Sequence, residues 1–146
     1  MKKNITTCNQ FIDYIAHYDE KTAYRYLNNN EVKDKTYNEL VSRSKSIASY
    51  FKKKGYKNRN IAILGSTSCD WIETYFGILL SGNVAVPLDR MLPQEDIGNL
   101  LRMGDVKTLF LSALLSIQKR KTPSVMPKDI MGKSRFAVWV IRSAVL

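Results

Sequence analysis

The pattern of apolar and polar residues is clearest in the central stretch, residues 60–88, where two different periods follow one another. Residues 61–64 form a short apolar run, typical of a strand buried on both faces of a parallel sheet. Large apolar residues then recur at helical spacing and predict a helix with a broad apolar face. Gly82 is placed to end that helix, and residues 84–86 predict a second strand that Pro87 stops. Strand, helix and strand in this order predict a right-handed crossover unit.

The central helix carries one unfavourable residue, Gly77, in its interior. A glycine there costs about 1 kcal/mol relative to alanine. Full burial of a large apolar side chain contributes roughly 1.5–3 kcal/mol, so we expect burial to outweigh the glycine. The expected apolar face comprises Trp71, Ile72, Tyr75, Phe76, Ile78 and Leu79.

The N-terminal part predicts a short helix followed by a hairpin. Residues 22–27 are rich in strand-forming side chains, and the asparagines at 28–30 suit a tight turn because they tolerate positive φ. Residues 31–35 are then the return strand, whose charges predict a solvated edge. The first helix is expected to have an apolar side formed by Phe11, Ile12, Ile15 and Tyr18.

A longer helix is predicted over residues 37–54. Thr36 and Glu39 stand three apart at its start and form a capping box. The lysines at 52–54 fall in its last turn, where the helix dipole favours cations, and we prefer this explanation of them to nucleic-acid binding. Gly55 follows as the cap. The apolar face of this helix comprises Leu40, Val41, Ile47, Ala48 and Phe51.

The pattern continues to residue 111 and then changes. Pro93 and the acids after it predict a helix start, and residues 107–111 predict a third core strand. Residues 113–117 can extend a helix briefly, but no regular element is predicted beyond them, and no turn signal sets the apolar residues 136–146 against the sheet. The helix after Pro93 is expected to have an apolar side formed by Ile97, Leu100 and Leu101.

Strands alternating with helices predict an α/β fold, an incomplete three-layer arrangement of a mixed, mostly parallel sheet with flanking helices. The predicted boundary divides the chain into a folded part, residues 1–111, and a basic, poorly ordered tail, residues 112–146. More than half of the formal net charge of +10 lies in that tail. Such uneven charge argues against a single basic face on one folded body.

Cysteine usage and the N-terminus predict a cytoplasmic protein. Cys8 and Cys69 are far apart and match no metal-ligand spacing, so we expect reduced thiols. The basic N-terminus is followed by no apolar core of a secretory signal, and no apolar run reaches the length of a membrane span.

Several motifs have the spacing or composition of a chemical site. Gly77 and Gly82 have the spacing of a phosphate loop, but the required lysine and hydroxyl residues do not follow. Residues 132–134 have the right ending, but Pro127 stands where the first glycine is needed. Residues 65–68 could hold an anion at a helix start, although a turn with a cap explains them better.

No catalytic, cofactor-binding or metal-binding residue is predicted. The only histidine, His17, has no acid or cysteine partner in view, which favours a surface or packing role. The aromatic residues at 71, 75 and 76 are expected to be core rather than a stacking platform. No Ser/His/Asp set, cysteine–histidine pair or carboxylate dyad can be argued.

Two stretches nevertheless resemble a known family. Residues 36–40, Thr-Tyr-Asn-Glu-Leu, resemble the first core motif of the adenylate-forming (AMP-binding) enzymes, which include acyl-CoA synthetases, peptide-synthetase adenylation domains and luciferases. Residues 80–89 resemble the second core motif. The helix at 68–76 and the residues 92–96 continue the pattern, so the resemblance covers about residues 20–111. The amino-acid sequence of residues 36–111 is most similar to that of long-chain fatty acid–CoA ligases.

The resemblance implies a function for the full-length family. Such enzymes activate a carboxylate with Mg-ATP, form an acyl-adenylate and pyrophosphate, and pass the acyl group to coenzyme A. The family's Pro-Lys-Gly phosphate loop, adenine and ribose motifs, acyl pocket and catalytic lysine are absent from this sequence. No residue here therefore inherits a role, and Lys128 and Lys133 match nothing in the family's motifs.

We therefore expect a truncated or frame-shifted N-terminal piece of a larger ligase, in which residues 1–111 are the first part of the large N-terminal domain. Alone it should be inactive, and its cut sheet edges should make it poorly soluble. The alternatives are a piece of a peptide-synthetase adenylation domain and a non-enzymatic fragment docking on a homologous ligase or on itself through sheet edges. A nucleic-acid binder is suggested by charge alone, and no specific nucleic-acid partner is predicted.

Overall fold

A computed structural model describes residues 4–28, 30–112 and 136–140. The chain divides into two compact units, one formed by Met1–Lys57 with Ile72–Gly82 and the other by Asn58–Trp71 with Asn83–Leu146. The helices are α1 (Cys8–Ile15), α2 (Tyr37–Lys53), α3 (Cys69–Leu80) and α4 (Gln94–Met103). The strands are β1 (Thr22–Asn28), β2 (Glu31–Thr36), β3 (Asn60–Leu64), β4 (Val84–Leu88), β5 (Thr108–Ser112) and β6 (Phe136–Val140).

The hairpin of the first unit is confirmed. Strands β1 and β2 pair in antiparallel fashion, and Asn28 stands opposite Glu31 at the turn end. Asn30 has a φ of 64°, the left-handed conformation that asparagine tolerates better than most residues. Most of β2 is exposed, as its charges predict.

Helix α2 is confirmed with its cap. The Thr36 hydroxyl accepts a hydrogen bond from the Glu39 backbone N–H at 3.2 Å, and the Glu39 carboxylate accepts one from the Thr36 N–H at 2.8 Å. Gly55, just beyond the helix, has a φ of 70°. Two orphan donors are thus satisfied at the start, and a glycine takes the left-handed position at the end.

The core of the first unit is formed where α1 and α2 meet. Ile12 and Ile15 of α1 pack with Leu40 and Val41 of α2. Phe11, expected on the apolar side of α1, is 38% exposed and its ring lies 5.8 Å from that of Phe76.

The prediction of which residues of α3 are buried is partly wrong. The four residues of α3 that are buried are Glu73, Thr74, Gly77 and Ile78, of which only Ile78 belongs to the predicted set. The reason is close helix packing, because a Cβ on Gly77 would lie 2.5 Å from Cγ2 of Ile47 in α2. Small residues on this face permit that approach. Ile72 and Phe76 of the predicted set are partly buried and pack against the core of this unit, which bears out that part of the prediction.

The sheet of the second unit confirms the predicted α/β class. Its strand order is β4-β3-β5-β6, and β3 pairs in parallel with both β4 and β5. Ile97 and Leu101 of α4 pack on a core that includes Ala62, Leu64 and Leu109. The sheet is mixed because β6 runs antiparallel to β5.

Two expectations about this sheet are corrected. Pro87 does not stop β4, since Pro87 stands opposite Ile63 and the strand continues to Leu88. A proline is tolerated there because β4 is the outermost strand in this sheet, where a missing N–H need not break a ladder on both sides. Phe136–Val140 forms β6 against β5, although no regular element was predicted for those residues.

The expectations for residues 113–135 and 141–146, including the brief helix at 113–117, lie outside the described residues. Among the residues that the structure does describe, no helix is long and apolar enough to cross a membrane.

Candidate functional site

A concave site lies in the second unit at the carboxyl ends of β3 and β4. Parallel strands leave their carboxyl ends at one edge of a sheet, which is where open α/β sheets bind ligands. The cleft is open to solvent and has a volume of about 330 Å³, near the lower end of the range for small-molecule pockets. It is lined by Gly65, Ser66, Thr67, Trp71, Leu88, Asp89 and Arg90.

The turn after β3 forms one wall of this cleft. Residues 65–68 leave the strand, and the Ser68 hydroxyl accepts a hydrogen bond from the Trp71 backbone N–H at 3.2 Å. That bond caps the start of α3 and confirms the turn-and-cap interpretation of this segment. Trp71 is half-buried and contributes to the cleft, so it is not the fully buried core residue that was expected.

The residues after β4 form the opposite wall. Leu88 is buried, whereas Asp89 and Arg90 are exposed. Asp89 Oδ1 accepts a hydrogen bond from the Met91 backbone N–H at 2.8 Å, which turns the chain sharply out of the strand. Sequence reasoning did not single out Asp89 or Arg90 as site residues, because their convergence with the turn after β3 depends on the parallel pairing of the two strands.

The cleft offers one guanidinium, one carboxylate, an indole ring and two hydroxyls to a ligand. These groups suit a polar ligand with an aromatic or apolar part. No group of three or more His, Cys, Asp or Glu residues that could hold a metal ion occurs within residues 4–28, 30–112 and 136–140. The described residues do not fit Mg-ATP by themselves.

A second charged cluster, missed by the sequence analysis, lies within the first unit. Glu73 is fully buried, and its Oε1 accepts hydrogen bonds from the Tyr24 hydroxyl at 2.9 Å and from the Lys35 ammonium. The Arg43 Nε lies 3.8 Å from Oε2, which has no hydrogen-bond partner within the described part of the chain. The available signal was the placement of an acid, Glu73, among the large apolar residues of α3.

The remaining candidates behave as ordinary structural residues. His17 lies with its Nδ1 2.8 Å from the Asp13 carbonyl oxygen, a partner within its own helical turn. Cys8 and Cys69 are both partly buried free thiols, and burial raises the pKa of Cys8. Lys128 and residues 132–134 lie outside the described residues.

These observations define the class of protein first: an open, mostly parallel α/β sheet with a concave site at the carboxyl edge of its strands. The family described as AMP-binding enzyme matches residues 11–139. The chain therefore belongs to the AMP-binding enzyme family. The match continues beyond residue 111, where the sequence analysis placed a boundary, and reaches β6.

Curated relatives are much longer than this chain. Gramicidin S synthase 2 from Brevibacillus brevis is 39% identical over 67 residues, which are 45% of this chain and 2% of that protein. Bacitracin synthase 3 from Bacillus licheniformis is 29% identical over 117 residues, 80% of this chain and 2% of that protein. The chain thus spans about a fiftieth of the length of these relatives.

Solved structures share the fold. The N-terminal subdomain of NpsA from Klebsiella oxytoca superimposes with a TM-score of 0.65 at 20% identity, over 72% of this chain and 27% of that chain. The fatty acid AMP ligase from Legionella pneumophila gives a TM-score of 0.63 at 20% identity, over 69% of this chain and 18% of that chain. At these identities the likeness concerns the fold alone, and it agrees with the predicted first part of a large N-terminal domain.

Proposed function

We propose that this chain is the N-terminal piece of an AMP-dependent ligase, whose full-length form activates a carboxylic acid with ATP. The observation that carries the proposal is the family match over residues 11–139 in a chain that spans so little of its relatives. In the reaction a carboxylate oxygen bonds to the α-phosphorus of ATP, pyrophosphate leaves, and an acyl-adenylate results. ATP and magnesium are the cofactors of the full-length form in this proposal.

We propose two candidates for the acid that is activated and for the group that accepts it. The sequence of residues 36–111 favours a fatty acid as substrate and coenzyme A as acceptor. The second candidate is an adenylation-domain piece of a peptide synthetase, which the similarity to gramicidin S and bacitracin synthases favours.

We infer that the chain alone does not catalyse adenylation. The cleft at β3 and β4 has a single carboxylate and no lysine among its lining residues, so it offers no set of ligands for magnesium and a triphosphate. Glu73 has its charge engaged by Lys35 and Arg43 in the first unit and is not available as a general base. We assign no catalytic, cofactor-binding or metal-binding residue to this chain.

The coding DNA on the 3′ side tests the assignment. We expect one of the three reading frames downstream of the codon for Leu146 to encode a serine/threonine/glycine-rich loop ending in Pro-Lys-Gly. Absence of that loop from every frame contradicts the proposal of a truncated ligase.

Identification of the substrate class requires the full-length protein, expressed from this coding sequence joined in frame to the downstream DNA. ATP–pyrophosphate exchange with palmitate and with each amino acid identifies the acid, and thioester formation with coenzyme A identifies the acceptor. Exchange with palmitate supports the fatty acid ligase, whereas exchange with an amino acid alone supports the peptide-synthetase piece and contradicts the fatty acid proposal.

We also propose that the free chain self-associates or docks on a homologous ligase through its sheet edges, in the cytoplasm. Strand β4 is the outer strand of the four-stranded sheet, and Val84 at its start is 53% exposed. Light scattering of the purified chain tests this idea. A monomer at all concentrations, with no retention on an immobilised homologous ligase, contradicts it.

A further inference from the structure

A groove of about 420 Å³ lies in the first unit, where α1 and α2 run beside each other. It belongs to neither the cleft at β3 and β4 nor the Glu73 cluster. Five of its seven lining residues are polar, and Ala48 and Leu80 are apolar. The lining residues are Asn9, Asp13, Lys45, Ala48, Ser49, Lys52 and Leu80.

The spacing on the two helices explains why these polar groups share one groove. Lys45, Ser49 and Lys52 stand at positions i, i+4 and i+7 of α2, which places them on one face of the helix. Asn9 and Asp13 stand four apart on α1 and share a face of that helix in the same way. The ammonium of Lys45 lies 3.5 Å from Asp13 Oδ1, so an ion pair joins the two helices across the groove.

The groove carries a net positive charge, because two lysines and one acid line it. Asp13 is the one acid in its lining, and it is already paired with Lys45. Lys52 forms no ion pair within the described part of the chain, and the side chains of Asn9 and Ser49 form no hydrogen bonds there. The Lys52 ammonium, the Asn9 amide and the Ser49 hydroxyl thus lie on one concave, solvent-exposed surface, and the ammonium has no ion-pair partner among the described residues.

We propose that this groove binds a phosphate group, with Lys52 as its charged ligand and Ser49 and Asn9 as neutral donors. A phosphate carries negative charge and several acceptor oxygens, so it matches a positively charged groove with N–H and O–H donors better than a neutral ligand does. The Lys45–Asp13 pair keeps the only carboxylate of the groove from repelling the anion. The ligand class is inorganic phosphate or a phosphate monoester, and the site is independent of the ligase proposal because the cleft at β3 and β4 lies in the other unit.

Isothermal titration calorimetry of the full chain with inorganic phosphate at low ionic strength tests the site. Loss of a charge-assisted contact should weaken binding about tenfold in Lys52→Gln and several-fold in Ser49→Ala. The matched control is Lys53→Gln, since Lys53 is the exposed neighbour in α2 and does not line the groove. It should change the affinity by less than about twofold, because an exposed charge outside the groove acts only through screened long-range attraction.

Two outcomes overturn the proposal. One is the absence of measurable phosphate binding. The other is an equal loss of phosphate affinity in Lys52→Gln and Lys53→Gln, which would indicate diffuse attraction by the basic end of α2. Because both lysines are exposed, unchanged urea midpoints confirm that the variants are folded.

The source of the phosphate is separated by a second arm, sedimentation with phosphatidylglycerol vesicles. A dependence on Lys52 in both arms supports a groove open to lipid headgroups. A dependence with inorganic phosphate only supports a soluble phosphate monoester. Vesicle binding that is equally weakened in both variants contradicts a site for headgroups in the groove.

Discussion

The hydroxyl of Tyr24 donates a hydrogen bond of 2.9 Å to the buried carboxylate of Glu73. Tyr24 belongs to β1 and Glu73 to α3, and two cations from other elements join them, Lys35 from β2 and Arg43 from α2. One acid thus ties four elements of the first unit together. A buried charge is tolerated only when it is paired and hydrogen-bonded. These partners therefore determine the rotation of α3 about its axis, because Glu73 must face them.

Replacement of Glu73 by alanine should lower the free energy of unfolding by about 3 kcal/mol or more, because it leaves the partly buried Lys35 without its counter-charge. Urea unfolding measures the change. The matched control is Glu31→Ala, which breaks the exposed ion pair between Glu31 and Lys33 and should cost less than about 1 kcal/mol.

Simultaneous replacement with apolar residues should recover much of that loss. The double variant Glu73→Leu with Lys35→Met removes both buried members of the cluster and leaves only the more exposed Arg43 without its partner. Such replacements of buried ion pairs are often neutral. If Glu73→Ala proves no more costly than Glu31→Ala, the pairing does not stabilise the first unit as proposed.

Replacement of Gly77 by alanine should destabilise the protein by about 1–3 kcal/mol, although alanine is the better helix former. The added Cβ would lie 2.5 Å from Cγ2 of Ile47 and 3.2 Å from the Ser44 carbonyl oxygen. Gly98 of α4 provides the control, since the nearest atom to its added Cβ is the flexible Arg102 Nη1 at 3.7 Å.

Gly98→Ala should stabilise the protein by roughly 0.5–1 kcal/mol. Opposite signs for the two glycines in urea unfolding are the expected result. Equal stabilisation by both substitutions would mean that α2 and α3 do not approach as closely as described.

The capping box at Thr36 should contribute about 1 kcal/mol to stability. Thr36→Ala removes the hydroxyl that accepts from the Glu39 N–H, whereas Thr36→Ser retains it. We expect the alanine variant to unfold at lower urea and the serine variant to match the wild type within a few tenths of a kcal/mol. A serine variant as weak as the alanine variant would assign the effect to the lost methyl group instead.

Stability should fall with increasing pH above about 9 because burial raises the pKa of Cys8 above its ordinary value of 9.0. The unfolded chain then releases this proton at a lower pH than the folded chain, so the unfolded state binds fewer protons and stability decreases as the pH rises through the raised pKa. Below the ordinary value the contribution does not change with pH.

Urea unfolding of the wild type and of Cys8→Ser at pH 7 and pH 9.5 measures this effect. The serine variant should lose less stability between the two values. The upper limit is chosen because burial also raises the pKa of Tyr50, whose ordinary value is 10.0. Identical losses in both proteins would show that Cys8 is not the group responsible.

Features set by local sequence were predictable. The cap at Thr36 and the turn at Asn30 depend on a few neighbouring residues, and the structure has both. Parallel strands β3, β4 and β5 followed from apolar runs separated by a helical pattern.

Features set by contacts between distant residues were not predictable. Gly77 is a packing residue only because Ile47 lies against it, and Glu73 is buried only because Lys35 and Arg43 reach it. The cleft at the ends of β3 and β4 likewise depends on the register of the sheet, which no single segment contains. Strand β6 was missed because it pairs with β5 across a long intervening segment without a turn signal.

The central claim is that this member of the AMP-binding family needs more of its domain before it can adenylate an acid. Incubation of the pure chain with ATP, magnesium, palmitate, the twenty amino acids and coenzyme A, followed by assay of pyrophosphate, tests it most directly. We expect no more pyrophosphate than in a control without protein. The full-length protein, encoded by this sequence joined in frame to the downstream coding DNA, should release pyrophosphate. Turnover by the chain alone, abolished by substitutions at Asp89 or Arg90, would contradict the claim.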